Sequence, residues 1–447
     1  MLYIYAYAVI LAVLTLGYFL VRLPIIRKAY LPTSVGAGLL LLALGAEASK
    51  VFPEWLYAPL EPLPELLINV VFGTLFLGRP LLKLREMWHM AGPQAAYGQM
   101  TAWGFYFVGG LVTLLLLTPM FGVSPLTGAL LEMSFEGGHG TAAGMIPVFH
   151  ELDFAEGQEL TVAMATTSLI SALIIGFILI NWGRRKNLAA NAGVVREARE
   201  KFYYWKIFRE LRLKGIQLKD ELSFGSLIIH LALVAVAVAG GIAIHYLLLH
   251  IEQATWGQNG VKIFGYMPVF TFCMFGGMIA QAVWSALGMQ VSRAMVELIA
   301  SAALGVLVTT AIGTMSLDFI ARDGLVFLIM VATGVLWVLG CFVFLARRMF
   351  AQHWFTNAIV SLGQSMGTTA TGLMFAQMVD PKQKSGAVEG FGYKQLLFEP
   401  FMGGGMVTAL SMPLIVLLGL PIFTAVTGGI CVFWMIFGMR VFGKNRP

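Results

Sequence analysis

Long apolar runs alternate with short polar intervals along the whole chain, and runs of about 20 apolar residues are what an α-helix needs to cross a bilayer. On that criterion spans are predicted at Tyr3–Val21, Thr33–Leu44, Leu63–Leu77, Tyr97–Phe121 and Leu160–Trp182. A second set follows at Ser226–Leu249, Ile263–Leu287, Ala294–Leu317, Leu325–Leu345, Leu396–Leu418 and Ile422–Met439. Two further stretches, Leu126–Leu152 and Asn357–Val379, are apolar at their edges but interrupted inside by glycine and polar residues. The first contains Phe135–Met145, reading FEGGHGTAAGM. Glycines lower helix stability, and a carboxylate at membrane depth is costly unless protein or water encloses it. This stretch is expected to be a helix broken near the bilayer midplane, lining a cavity. The opening residues carry no basic segment and no small-residue cleavage site, so they read as a retained first span.

Composition agrees with a polytopic membrane protein. Hydrophobic residues make up 58% of 447 and charged residues only 12%, against about 25% charged in soluble domains. Cys273, Cys341 and Cys431 each lie in an apolar run, with no pair at metal-ligand spacing, so neither a disulfide nor a zinc site is indicated. A formal net charge of +6 does not point to nucleic acid, because the basic residues serve topology. If the two broken stretches enter and leave on the same side, only Lys50, Lys262 and Arg322 of the 29 Lys and Arg fall on the outer side. The inner flanks then hold Arg22, Arg27 and Lys28, Arg347 and Arg348, and the tail residues Arg440, Lys444 and Arg446. Cytoplasmic flanks collect Lys and Arg, so the N-terminus is expected outside and the C-terminus in the cytoplasm.

This count divides the chain into a first repeat over 1–183, a basic connector over 184–223, a second repeat over 224–421 and an extra span with its tail over 422–447. Each repeat has five spans and a broken stretch before the fifth, at 126–152 and 357–379, and the two repeats enter the membrane from opposite sides. The expected fold is an all-α polytopic membrane protein: two inverted repeats of five transmembrane helices, each with a re-entrant helical hairpin, plus one extra C-terminal transmembrane helix. Short internal matches agree. Tyr30-Leu31-Pro32 corresponds to Tyr266-Met267-Pro268, and Thr141-Ala142-Ala143-Gly144 to Thr369-Ala370-Thr371-Gly372. The offset of the second match also sets Glu136 against Gln364. The connector, with Tyr203, Tyr204 and Trp205 at its middle, reads as a solvated link that fixes topology, with binding of anionic headgroups or a regulatory partner as the alternative.

A helix broken inside the membrane exposes N–H groups at one half and carbonyls at the other, giving ion-binding ends without charged side chains. That is transporter chemistry. The candidate substrate and ion site therefore comprises Glu136, Gly137, Gly138, His139, Gly140 and Thr141 from the first stretch, and Gln364, Ser365, Gly367, Thr368, Thr369 and Thr371 from the second. Glu132 shares a helix face with Glu136. Elsewhere, Gly109-Gly110, Gly240-Gly241, Gly276-Gly277 and Gly403–Gly405 read as close helix packing. His230, His245 and Glu399 read as isolated hydrogen-bonding groups. No Lys or Arg lies in either broken stretch. A carboxylate there would repel an anionic substrate by roughly 4 kcal/mol at about 4 Å and an effective dielectric near 20. Walker A and HExxH signals are missing. A hydrolase built on Ser134, Glu136 and His139 is disfavoured, because neighbours in sequence rarely take triad geometry. The chain is expected not to be an enzyme.

GGHGT at Gly137–Thr141, the Gly/Thr-rich stretch SLGQSMGTTATGLMFAQMVDP and ten spans split by a basic connector resemble the bacterial sodium:glutamate symporter family. The resemblance implies a secondary active transporter of the bacterial inner membrane, with Na+ as coupling ion at the hairpin tips and glutamate or a related small organic anion as substrate. It also implies a homodimer in which a transport domain moves past a fixed scaffold. The chain departs from the family pattern at Glu136, where a small polar residue is usual, and at Thr369–Gly372, where the family carries a proline. The span at Ile422–Met439 exceeds the family's ten. Readings that stay open are a cation- or proton-coupled carrier of another solute using Glu136, and a channel-like protein.

Overall fold

The computed structural model describes residues 2–20, 32–45, 55, 59–78, 84–188, 224–259, 264, 267–315, 318–380 and 384–443. Most of the connector, with Tyr203, Tyr204 and Trp205, lies outside the described residues. So do Tyr30, Leu31 and Tyr266, and the flanking residues Arg22, Arg27, Lys28, Lys50, Lys262, Lys444 and Arg446.

Among the described residues the fold is helical throughout, with no strand. In order the helices are α1 (Leu2–Leu20), α2 (Thr33–Leu44), α3 (Leu63–Gly73), α4 (Leu84–Val112), α5 (Gly138–Gly144), α6 (Ile146–Glu151) and α7 (Ala155–Arg185). Then come α8 (Phe224–Ala254), α9 (Val269–Ala286), α10 (Arg293–Gly313), α11 (Asp318–Gly340), α12 (Trp354–Ser365), α13 (Thr369–Val379), α14 (Ala387–Phe398), α15 (Met406–Leu418) and α16 (Leu420–Val441). Seven described helices are long and apolar enough to cross a membrane, and four shorter apolar ones accompany them. On α8 the exposed positions include Ile228, Ile229, Val236 and Leu247. An apolar exterior of this kind suits lipid.

Local chemistry sets several boundaries. Pro32 and Pro268 immediately precede α2 and α9 with φ near −59° and −69°, since proline fixes φ and disfavours helix in the residue before it. α4 passes into a π-helical turn, Thr113–Leu117, and a last turn, Thr118–Phe121; α11 ends in the same way, with Cys341–Leu345 and Ala346–Met349. The expected single span at Leu396–Leu418 is corrected: α14 ends at Phe398 and α15 begins only at Met406. Gly403 and Gly404 between them take φ of +68° and +104°, a region that L side chains rarely enter.

Two bundles result. α1, α2, α3, α8, α9 and α10 pack on one another, and α4, α7 and α11 to α16 pack around the broken stretches. α3 and α10 meet the second bundle at α5. The largest core is centred on the second bundle, where Phe105, Tyr106, Phe135, Phe149 and Phe355 are fully buried, and it reaches into the first through Val35, Ile68, Phe270 and Leu307. Expected close packing is borne out at Gly241, Gly276 and Gly277. A Cβ on Gly276 would lie 2.1 Å from the Ala237 carbonyl oxygen. Gly276→Ala should therefore cost about 1–3 kcal/mol through overpacking, whereas Gly240→Ala, whose Cβ meets only the Gly276 Cα at 3.8 Å, should be near neutral. Denaturation of both variants in mixed micelles checks the contrast, and equal losses would refute it.

The lone polar groups behave as hydrogen-bonding groups. The Ser292 N–H donates to His230 Nε2 at 2.9 Å, and His230 Nδ1 lies 2.8 Å from the Ser226 carbonyl. His245 Nε2 meets the Phe264 carbonyl at 3.1 Å. Gln395 Nε2 donates to Glu399 Oε1 at 3.0 Å. Cys273, Cys341 and Cys431 are buried free thiols.

Candidate functional site

Three interruptions of helix converge. In the first, a 3-10 turn at Pro125–Ala129, capped by Ser124, leads into a π-helical turn, Glu132–Glu136. The Gly137 N–H donates to the Glu132 carbonyl at 3.0 Å, and Gly138, at φ +68°, turns the chain into α5. In the second, α12 stops at Ser365, and the Thr368 hydroxyl caps α13 by accepting the Thr371 N–H at 3.2 Å. The third is Glu399–Gly405.

The first two meet through side chains. Gln364 Nε2 donates to Glu136 Oε1 at 2.6 Å. The opposite end of the same amide accepts from Lys394 Nζ, also at 2.6 Å, and that ammonium lies 3.8 Å from Glu136 Oε1. Glu136 is 6% exposed and Lys394 2%. Glu136 Oε2 is buried and without a hydrogen-bond partner, although Ser365 lies beside the carboxylate. Lys394 sits over the Phe398 ring at 3.6 Å from its centroid, and its stem passes where a side chain on Gly98 would collide. Lys394 corrects the expectation that no cation offsets Glu136. The lysine belongs to neither broken stretch, and in the linear count it reads as a cytoplasmic flank, yet α14 carries it into the core.

The third interruption is fastened to the first. Glu132, fully buried, accepts from Tyr106 Oη through Oε2 at 2.6 Å, and through Oε1 from the Gly403 N–H at 2.8 Å and the Thr408 hydroxyl at 3.0 Å. Thr141 Oγ1 donates to the Gly403 carbonyl at 3.2 Å. Gly403 and Gly404, expected only to pack, thus shape the site. A Cβ on Gly404 would lie 2.6 Å from both the Phe72 ring and Thr141 Oγ1. Gly404→Ala should destabilise by about 1–3 kcal/mol and impair transport. Comparing thermal unfolding and reconstituted uptake with wild type checks this, and unchanged uptake would refute it.

The other expected residues divide. Gly138 faces the Gly367 carbonyl, 3.7 Å from where its Cβ would be, so Glu136, Gly138, Gln364, Ser365 and Gly367 form one cluster, with Gly137 and Thr141 at its edge. Thr369 accepts from Gln395 Nε2 at 2.8 Å, and the Thr368 and Thr371 hydroxyls pair at 3.1 Å, which ties all three to helix capping and α14. His139 points away from the carboxylates: its Nε2 meets Thr166 Oγ1 of α7 at 2.9 Å. Because the Thr166 hydroxyl donates to the Val162 carbonyl, His139 is the donor in that pair. Gly140 faces Ile68 of α3. Sequence reasoning missed Lys394, Tyr106, Thr408 and the Gly403–Gly404 turn. The one available signal was the run KQLLFEPFMGGG, in which a lysine and a glutamate precede three glycines.

Two cavities flank α5 and α6. One, of about 500 Å³, is lined by Glu61, Ala143, His150, Gln158 and Thr314 among others. The second, of about 360 Å³, is lined by Glu65, Asn69, Gly144, Glu151 and His245 among others. Neither is lined by Glu136 or Lys394, so the charged cluster is closed off from both. Among the described residues no group of three His, Cys, Asp or Glu side chains could hold a metal ion.

A comparison with curated proteins finds no match. A comparison with family models does: the model described as sodium/glutamate symporter matches residues 2–384. With most of its length matched and its helices built for a bilayer, the chain is a membrane transporter rather than an enzyme, and it belongs to the sodium/glutamate symporter family.

Proposed function

We propose that this chain is a secondary active transporter that couples inward sodium movement to uptake of glutamate or a similar small organic anion by alternating access. The observation that carries the reading is the bond between Glu136 and Gln364, which joins the tips of the two broken stretches across 228 residues of sequence. The same spacing relates the π-helical turns Thr113–Leu117 and Cys341–Leu345 and the short turns that follow them. Such recurrence supports two inverted repeats, each with a re-entrant hairpin, as in carriers whose sites lie between repeats. The division into two bundles, three helices of each half in one and the rest in the other, supports an elevator-like motion of one bundle past its neighbour.

The cluster fits a hard cation. Sodium takes oxygen ligands, and unwound backbone supplies carbonyls to it; here the buried, unpartnered Glu136 Oε2 and the Gly367 carbonyl beside Gly138 offer both. Glu136 also ceases to be an obstacle to an anion. At 3.8 Å from Lys394 and an effective dielectric near 20, the attraction is about 4 kcal/mol, comparable to the repulsion it would otherwise exert. In this reading the protein works as a homodimer in the bacterial inner membrane, N-terminus outside and C-terminus cytoplasmic, as the basic flanks predict.

Purified protein in liposomes should accumulate labelled glutamate when an inward sodium gradient is imposed. Uptake indifferent to sodium would remove the coupling, and no uptake under any gradient would remove the substrate.

A further inference from the structure

The cavity of about 360 Å³ stops short of the charged cluster, although its size falls within the ~300–1,000 Å³ typical of small-molecule pockets. Glu65, Asn69, Glu151 and His245 give it a polar wall, and Phe270 of α9 lines it too. The Phe270 ring centroid lies 4.7 Å from that of Phe72 on α3. Beyond Phe72 comes the glycine turn of the site: a Cβ on Gly404 would lie 2.6 Å from the Phe72 ring and equally close to Thr141 Oγ1. Thr141 donates to the Gly403 carbonyl, and a Cβ on Gly403 would lie 3.3 Å from the Glu136 carbonyl oxygen. Cavity, Phe270, Phe72, glycine turn and Glu136 are thus successive neighbours.

The rings seat against backbone that carries no side chains. On α5 a Cβ on Gly144 would fall 2.4 Å from the Phe270 ring, and one on Gly140 3.1 Å from Ile68 of α3. Gly140, Gly144 and Gly404 therefore form a bare strip on the second bundle, and Ile68, Phe72 and Phe270 of the first bundle press into it. We infer that this cavity is the entry chamber for solute and that the Phe72–Phe270 pair is the barrier between it and the site at the broken stretches. Apolar rings keep water from the charged cluster, as hydrophobic constrictions do in channels, and they have no hydrogen bond to break when they move. Barrier and strip belong to different bundles, so a relative slide of the bundles parts them. The larger cavity meets α5 at Ala143 and α7 at Val162, one turn from the contact between His139 and Thr166, and so leads to that contact rather than to Glu136. The inference rests on the transport reading above and adds to it a route and the residues that close it.

Thr141→Cys places a thiol on the site side of the rings, and its reaction with a charged, water-soluble methanethiosulfonate measures access. The reaction is followed on the detergent-solubilised full chain by peptide mass spectrometry at position 141, which separates it from the three buried native thiols. Adding Phe72→Ala/Phe270→Ala should accelerate labelling roughly tenfold or more, because a shielded group reacts only through local opening and the barrier sets the cost of that opening. Phe72→Leu/Phe270→Leu keeps apolar bulk in place and should stay slow. Phe355→Ala, a truncation of a ring buried elsewhere in the second bundle, should also stay slow. Should the double alanine variant fail to fold, Phe72→Ala alone, whose ring is only partly buried, is read in the same way. Labelling that stays slow without the rings overturns the inference, as does equal acceleration by Phe355→Ala. Unchanged labelling in a protein that still takes up glutamate with sodium removes the barrier and leaves symport standing. No uptake under any gradient overturns both.

Discussion

Replacing Lys394 with methionine is expected to destabilise the protein by about 3–5 kcal/mol, the usual consequence of removing one partner from a buried ion pair. Methionine keeps the apolar stem that lies over Phe398, so packing alone would cost less than about 1.5 kcal/mol. The larger loss comes from Glu136, which is left buried with one oxygen already unpartnered and no cation nearby. Glu136→Gln/Lys394→Met should recover most of it, because replacing both members of a buried pair is often neutral. Denaturation of the wild type, both single variants and the double variant in mixed micelles gives the coupling between the two positions. Contacting residues of this kind couple by about 0.5–3 kcal/mol, and a value near the top of that range is expected. A Lys394→Met protein within about 1 kcal/mol of wild type would show that the ion pair contributes little.

Glu132→Ala is expected to cost about 3 kcal/mol or more and to reduce uptake at least about a hundredfold. The carboxylate receives three donors from three elements: Tyr106 on α4, the Gly403 N–H in the turn after α14, and Thr408 on α15. The Thr408 oxygen in turn accepts the Gly404 N–H at 3.1 Å, which commits its own proton to Glu132. Alanine leaves all three donors in a dry interior, each worth about 1–3 kcal/mol when unsatisfied. The turn at Gly403–Gly404 would lose its fastening to the first broken stretch, and Thr141, which donates to the Gly403 carbonyl, would lose a fixed partner. Glu132→Gln keeps one acceptor oxygen and should fall between wild type and alanine in both stability and uptake. Equal behaviour of alanine and wild type in reconstituted uptake would mean that the turn is held by packing alone.

Much of the fold was legible because the bilayer simplifies the code. Apolar runs reported helices, and α2 has the predicted bounds, Thr33–Leu44. Glycine and hydroxyl residues marked the breaks at Glu132–Gly138 and Met366–Thr368, since both raise the cost of continuing a helix. The run Leu396–Leu418 misled. Phe398, Phe401 and Met402 keep hydropathy high across Glu399–Gly405, so an apolar-run criterion reads through the break although Pro400 and three glycines mark it. The positive φ of Gly403 and Gly404 shows what those glycines are for.

By itself the sequence determined the helical class and the two interrupted stretches, because these depend on local propensity. Tertiary structure decided which polar groups share the site. Lys394 lies 30 residues beyond Gln364, Gly403 271 beyond Glu132, and Thr408 276 beyond Glu132. No local rule relates such positions. They meet because α14 and α16 pack along α4, and because a buried charge is tolerable only where distant chain brings it a partner. The sequence alone leaves Glu136 an unbalanced charge; the fold pairs it with Lys394.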